Sequence, residues 1–400
     1  MFGDWEQRKL VELSESFEYG LNASAIAYDG ENKYLRITDI DDASRKLIQN
    51  KLTSPEYDLK KADNYLLQHG DILFTRTGAS VGKTYRYDEK DGKVYYAGFL
   101  IRARIKSTYN PEFIFQNTLT SKFKNFIRIT SQRSGQPGIN ANEYGSFEIF
   151  IPNKEEQSRV ASLFKHLDDT IALHQEKLEK LKQLKRAYLQ VIFPQKGERT
   201  PRLRFADFSS DWEQRELSEI VERITRKNKN LESTLPLTIS AQDGLINQND
   251  FFNKQVASRD VSNYYLVKKG DFAYNKSYSN GYPWGAVKRL DSYSMGVLST
   301  LYIVFIPTRV NSDFLVSYYD TTSWHKEVSK HAAEGARNHG LLNITASDFF
   351  KTKLSIPSSV DEQEKIGNFF RQFDDSIALQ NAKVMKLKKL KEVYLKKVFI

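Results

Sequence analysis

Four hundred residues exceed one compact domain and suggest roughly two or three. Hydrophobic residues at 40% and charged residues at 28% are an ordinary globular balance, which excludes disorder as the main state. Sixty Lys and Arg against fifty Asp and Glu leave a net charge of +10 and a pI near 9.2, which favours a polyanionic partner, most often nucleic acid. The absence of cysteine excludes disulfide frameworks, thiol nucleophiles and cysteine-ligated zinc, and suits a reducing cytosol, so the expected location is cytoplasmic. Residues Met1 to Glu6 show no basic segment followed by an apolar one, and no signal peptide is expected. The most apolar run, Val297 to Ile306, is about half the length of a membrane helix, so no membrane span is expected.

In chain order the sequence repeats itself. Asp4-Trp5-Glu6-Gln7-Arg8 returns as Asp211-Trp212-Glu213-Gln214-Arg215, and Gly70-Asp71-Ile72 is echoed by Gly270-Asp271-Phe272. The β-branched and aromatic runs Lys93 to Ile105 and Val297 to Ile306 predict strands. Pro111 to Ile127 and Ser312 to Lys330 read as helical, giving mixed α/β segments of about 150 residues. From Gln157 to Phe193 the chain aligns without gaps on Gln363 to Phe399, identical at roughly 16 of about 37 positions. The expected division is 1–153 and 199–359 as similar globular domains, with helices over 154–198 and 360–400.

Both helical segments carry a heptad seam. The first runs through Val160, Phe164, Leu167, Ile171, His174, Leu178, Leu181, Lys185, Tyr188 and Ile192. The second runs through Ile366, Phe370, Phe373, Ile377, Gln380, Val384, Leu387, Lys391, Tyr394 and Val398. Pro194 and Gly197 stop the first helix, and the second runs towards residue 400. Such helices span on the order of 50 Å and are too one-sided to stand alone, so each is the obvious partner of the other.

Two stretches in each half hold candidate nucleic-acid contacts. After the Gly-Asp strand come Thr75, Arg76, Thr77, Ser80 and Lys83 in the first half, and Asn275, Lys276, Ser277, Tyr278 and Asn280 in the second. Before the last strand come Gln132, Arg133, Ser134 and Gln136, and correspondingly Arg337, Asn338 and His339. Arg can fork onto guanine and Asn or Gln onto adenine, although the same residues also populate ordinary solvated loops. Gly78 to Thr84 resembles a phosphate-binding loop but has three residues between its glycines where four are needed, and no helix is predicted after it. Catalytic patterns are weak. Asp168-Asp169 and Asp374-Asp375 are duplicated carboxylates beside the seam, better read as solvated or salt-bridged helix faces than as acid–base pairs. The histidines show no metal-ligand spacing, and His174 opposite its repeat mate Gln380 reads as a polar layer that sets register. No catalytic residue and no metal site is expected.

The duplicated Trp-Glu-Gln-Arg opening, Ile151-Pro152 with Glu156-Gln157, Ile356-Pro357 with Glu362-Gln363, and the Phe-x-x-x-Asp-Asp-x-Ile runs from Phe164 and Phe370 carry a resemblance. Over essentially the whole chain the sequence resembles the specificity subunit of type I restriction-modification enzymes. The resemblance implies an α+β protein with two α/β target-recognition domains, joined by two long antiparallel coiled-coil helices and related by a pseudo-twofold repeat. It implies that each domain reads half of a split target in double-stranded DNA, with the helices as a fixed ruler. It also implies a non-catalytic chain that holds no cofactor. Two modification subunits would methylate adenine N6 with S-adenosylmethionine, and two restriction subunits would use ATP and Mg2+.

Overall fold

The computed structural model describes residues 5–133, 135–195, 197–240, 244–254, 256–258, 260–277, 282–331, 342 and 344–399. The chain divides into two compact units, residues 1–177 with 380–400 and residues 178–379, so the division falls inside both long helices. These helices run over Lys154–Ile192 and Val360–Val398, 39 residues and about 58 Å each.

In the first unit a four-stranded antiparallel sheet has the order Ser14–Tyr19, Leu100–Ile105, Asp71–Thr75, Thr84–Arg86. The second unit repeats that order with Val221–Arg223, Ile303–Pro307, Phe272–Asn275 and Ala286–Arg289. The runs predicted as single strands are each two strands. Val94–Tyr96 and Leu100–Ile105 are parted by a turn at Gly98-Phe99, and Met295–Leu298 and Ile303–Pro307 by a turn at 299–302. The predicted helical runs are broken in the same way, into Pro111–Asn117 with Ser121–Thr130 and Ser312–Tyr319 with Ser323–His331. Thr120 breaks the first because its hydroxyl caps the Phe123 amide of a new helix.

The repeated motifs are repeated because they make the same bonds. The strand Glu6–Lys9 pairs antiparallel with Glu148–Ile151, and Glu213–Glu216 pairs with Lys353–Ile356 in the same register. The indole of Trp5 donates to Glu156 at 3.2 Å, and that of Trp212 donates to Glu362 at 3.3 Å. Gln157 donates to the Pro152 carbonyl at 2.8 Å and accepts the Asn110 amide at 3.0 Å. Gln363 does the same with Pro357 at 2.9 Å and Asn311 at 2.9 Å. Each Gly-Asp turn needs a left-handed glycine, Gly70 at φ 90° and Gly270 at φ 93°. Its buried carboxylate then takes a backbone amide and an arginine, Gln68 and Arg104 for Asp71, Lys268 and Arg226 for Asp271.

Along the helices, Phe164, Ile171, Leu178, Ile366, Phe370 and Val384 are buried. Val160, Leu167, Leu181, Tyr188, Phe373, Ile377, Leu387 and Tyr394 are half-buried. In the first unit the last turns of the second helix lie antiparallel on the first half of the first helix. Phe399 stacks on Phe164 at 5.4 Å and meets Phe113 at 5.3 Å. In the second unit Phe193 packs against Phe314 and Phe370 at 5.5 and 5.9 Å. Phe164 and Phe370 are fully buried, so Phe164→Ala or Phe370→Ala is expected to cost about 3–5 kcal/mol through a cavity. Urea titration of each purified variant checks this, and a loss below about 1 kcal/mol would place these rings outside the core.

Candidate nucleic-acid interface

In the first unit the structure brings the two candidate stretches together at the end of the Asp71–Thr75 strand. In the first, the Gly78 amide donates to Pro137 O at 2.9 Å and the Ile139 amide to Arg76 O at 2.9 Å. In the second, the Leu342 amide donates to Lys276 O at 3.0 Å and Lys276 Nζ to Ile344 O at 3.2 Å.

Not every candidate has a side chain to offer. Thr75 is fully buried, with its hydroxyl on the Ser80 carbonyl and its own carbonyl taking the Tyr144 hydroxyl, so it is withdrawn as a contact. Lys83 is corrected too. It is 9% exposed and donates to Asp42 at 2.6 Å and Ile40 O at 3.1 Å, which makes it an internal loop tie. Gly78–Ser80 forms a short 3-10 turn and Thr84–Arg86 a strand, so no helix follows directly on the loop as in a phosphate-binding loop. Thr77 and Ser80 are half-buried, and Gln132 and Gln136 are exposed. Arg133 is exposed but folds back on Glu143 and on the Thr130 and Gln132 carbonyls. Asn275 and Ser277 are half-buried, and the Asn275 side chain accepts the Ser277 amide at 3.0 Å. Ser134, Tyr278, Asn280, Arg337, Asn338 and His339 lie outside the described residues.

Arg76 stands apart, because it makes no ion pair among the described residues. Its guanidinium lies over the Tyr19 ring at 4.8 Å and lines a groove with Asn22, Arg36, Thr38 and Phe99. Phe99, 63% exposed, forms the tip of the turn inside the predicted strand, and its carbonyl accepts the Arg76 amide at 3.1 Å. A half-buried guanidinium beside exposed aromatic surface suits base edges or backbone phosphates. Sequence reasoning missed Tyr19, Arg36 and Phe99. The one local signal was Gly98, which interrupts an otherwise apolar run.

The duplicated carboxylates serve the helices. In the first unit Lys391 Nζ donates to both Asp168 oxygens at 2.6 and 2.8 Å, and Gln116 adds a third bond at 2.9 Å. In the second, Lys185 Nζ donates to Asp374 at 2.6 Å and Asp320 at 2.7 Å, and Lys288 joins Asp320 at 2.9 Å. Burial opposes the charge on Lys185, yet the two carboxylates outweigh it and hold the ammonium above the usual lysine range. Gln380 donates to His174 Nδ1 at 2.7 Å and to its carbonyl at 2.9 Å. Among the described residues no three His, Asp or Glu side chains group as metal ligands, and no helix is long and apolar enough to cross a membrane.

Two similar units, with the same sheet order and the same pairing of first and last strands, make up a duplicated architecture. The chain belongs to the family described as the type I restriction modification DNA specificity domain, which matches residues 3–183 and again 209–389. It is 28% identical over 196 residues to a putative type I restriction enzyme MjaX specificity subunit from Methanocaldococcus jannaschii, covering 48% of this chain and 45% of that one. It is 23% identical over 193 residues to the type I restriction enzyme HindI specificity subunit of Haemophilus influenzae, covering 48% and 41%. The matched region thus spans under half the length of these relatives. The fold is similar to that of a type I restriction-modification S subunit from M. genitalium, with a TM-score of 0.65 and 15% identity over 99% of this chain and 96% of that one.

Two substitutions separate a surface contact from an internal tie. Arg76→Ala should leave the melting temperature unchanged and lower DNA affinity. If Arg76 meets a phosphate, the log–log salt dependence should flatten by about one unit. Lys83→Ala should lower the melting temperature and leave that slope as it was. Anisotropy titrations at several salt concentrations, with thermal melts alongside, read out both. For Lys185→Ala, which leaves Asp374 without its cation while Asp320 keeps Lys288, the expected loss is about 1–3 kcal/mol in chemical denaturation. It is largest at neutral pH and shrinks in acid as those carboxylates protonate.

Proposed function

We propose that this chain is the DNA sequence-specificity subunit of a type I restriction-modification complex. Residues 1–153 and 199–359 act as target-recognition domains, and 154–198 and 360–400 are the spacer helices. Each domain reads one part of a split, asymmetric double-stranded target. The helices recruit two modification subunits, which use S-adenosylmethionine to methylate adenine N6, and two restriction subunits driven by ATP and Mg2+. The chain itself performs no covalent step and works in the cytoplasm.

The observation that carries this reading is the placement of different loops on one duplicated frame. Thr75-Arg76-Thr77 and Asn275-Lys276-Ser277 lie at the ends of equivalent strands in the two sheets, each bonded to the segment before the last strand. The frame is shared and the readable chemistry is not. A domain graft tests it. A foreign recognition segment replacing residues 1–150, with both helices intact, should change one half of the methylated target and leave the other half unaltered. Methylation mapping of cells carrying the assembled chimera gives the answer, and a change in both halves together would overturn the two-reader proposal.

A further inference from the structure

A lone exposed apolar side chain needs no explanation, but this chain places one at the same position in both units. Phe99, 63% exposed, lies in the turn between Val94–Tyr96 and Leu100–Ile105. Leu301, 61% exposed, lies in the turn between Met295–Leu298 and Ile303–Pro307. Both turns are closed by their own bonds. Gly98 donates its amide to the Leu21 carbonyl at 2.8 Å, and Leu100 to that of Ala97 at 2.9 Å. Ser299 accepts the Tyr302 amide on its carbonyl at 3.2 Å and the Leu301 amide on its hydroxyl at 3.4 Å. The two side chains are therefore held out on fixed supports, and burial accounts for neither.

Strand register sets a cation beside each of them. Thr75 pairs with Leu100, and Tyr274 with Ile303. Continued past the strand end, the first register sets Arg76 opposite Phe99, where the Arg76 amide donates to the Phe99 carbonyl at 3.1 Å. Counted on in the same way, Lys276 falls opposite Leu301. Each unit thus joins a cation and a large apolar side chain at the strand end that carries its candidate loop.

We propose that Phe99 and Leu301 are wedges that enter a base step of bound duplex DNA, one in each half-site, while Arg76 and Lys276 steady the strand beside it. Phe and Leu are side chains that partly unstack a step when pushed between bases, and the surface gained on the kinked duplex offsets the cost of opening. The neighbouring cation supplies the attraction that keeps the backbone against the wedge. Pyrimidine–purine steps open most readily, so each wedge favours such a step without hydrogen-bonding to it. This inference rests on the proposed DNA reading and adds to it a readout by deformability.

The test uses the full 400-residue chain and duplexes carrying the target found by methylation mapping. A fluorescent base analogue that brightens on unstacking, 2-aminopurine for adenine or pyrrolocytosine for cytosine, is substituted at each position in turn. Fluorescence should rise roughly twofold or more at one step in each half-site. Phe99→Ser should abolish the first rise alone and Leu301→Ser the second alone, with melting temperatures unchanged because both positions are exposed. Phe99→Leu should keep the first rise, since leucine fills this place in the other unit. Duplex shown by anisotropy to be bound, yet without a rise at any step, would overturn the wedges and leave DNA reading intact. A rise that survives both serine variants would overturn them as well. No binding of the mapped target at low salt would remove the DNA reading and the wedges together.

Discussion

A 39-residue helix with one apolar stripe is unstable in water unless that stripe is covered, and the rest of this structure follows from how the cover is supplied. Each unit closes its core around the ends of both long helices. In the first unit Leu395 and Phe399 join a cluster that otherwise comes from residues 10–164, so the chain must return from its far end before that core is complete. In the second, Leu189, Ile192 and Phe193 enter a cluster built mainly from residues 212–370. The sheets are thereby coupled to the helices through shared aromatic packing rather than through surface contact.

Hydrophobic seams alone fix helix pairing poorly, because a slip by one heptad still buries leucine against leucine. Here the seam is interrupted by groups that tolerate one register. Lys391 needs Asp168, Lys185 needs Asp374 and Asp320, and Gln380 needs the ring and carbonyl of His174. Buried ion pairs contribute little net stability, but removing one partner strands the other, so they act on specificity more than on depth of the energy well. Asp168 and Asp374 occupy equivalent positions in the repeat, as do Lys185 and Lys391, so one device is used in each unit.

What could be read in advance was local or periodic. The seam residues, the duplicated Trp-Glu-Gln-Arg and Pro-Glu-Gln motifs and the Gly-Asp turns are visible in the sequence because their partners repeat at fixed spacing. Long-range placement was not visible. Lys83 looks like a free cation in a glycine-rich loop, and its burial depends on Ile40 and Asp42 arriving from forty residues away. Tyr19 and Arg36 give no sign that they share a groove with Arg76, since only sheet order and loop packing bring them together. The turn at Gly98-Phe99 hid inside an apolar run because Phe99 is as hydrophobic as the strand residues around it.

The two halves differ where contact with a partner is possible and agree where it is not. Gln157 and Gln363, Glu156 and Glu362, and Asp71 and Asp271 each satisfy buried or half-buried partners, and replacing any of them would leave polar groups without a bond. The loop residues escape that constraint. Arg76 offers a planar fork over an aromatic ring, whereas Lys276 at the same position offers a point charge drawn towards a backbone carbonyl. These groups cannot be satisfied by the same arrangement of acceptors. A duplicated frame that keeps its internal bonds while exchanging a fork for a point charge is what the proposed reading of two unlike half-sites requires.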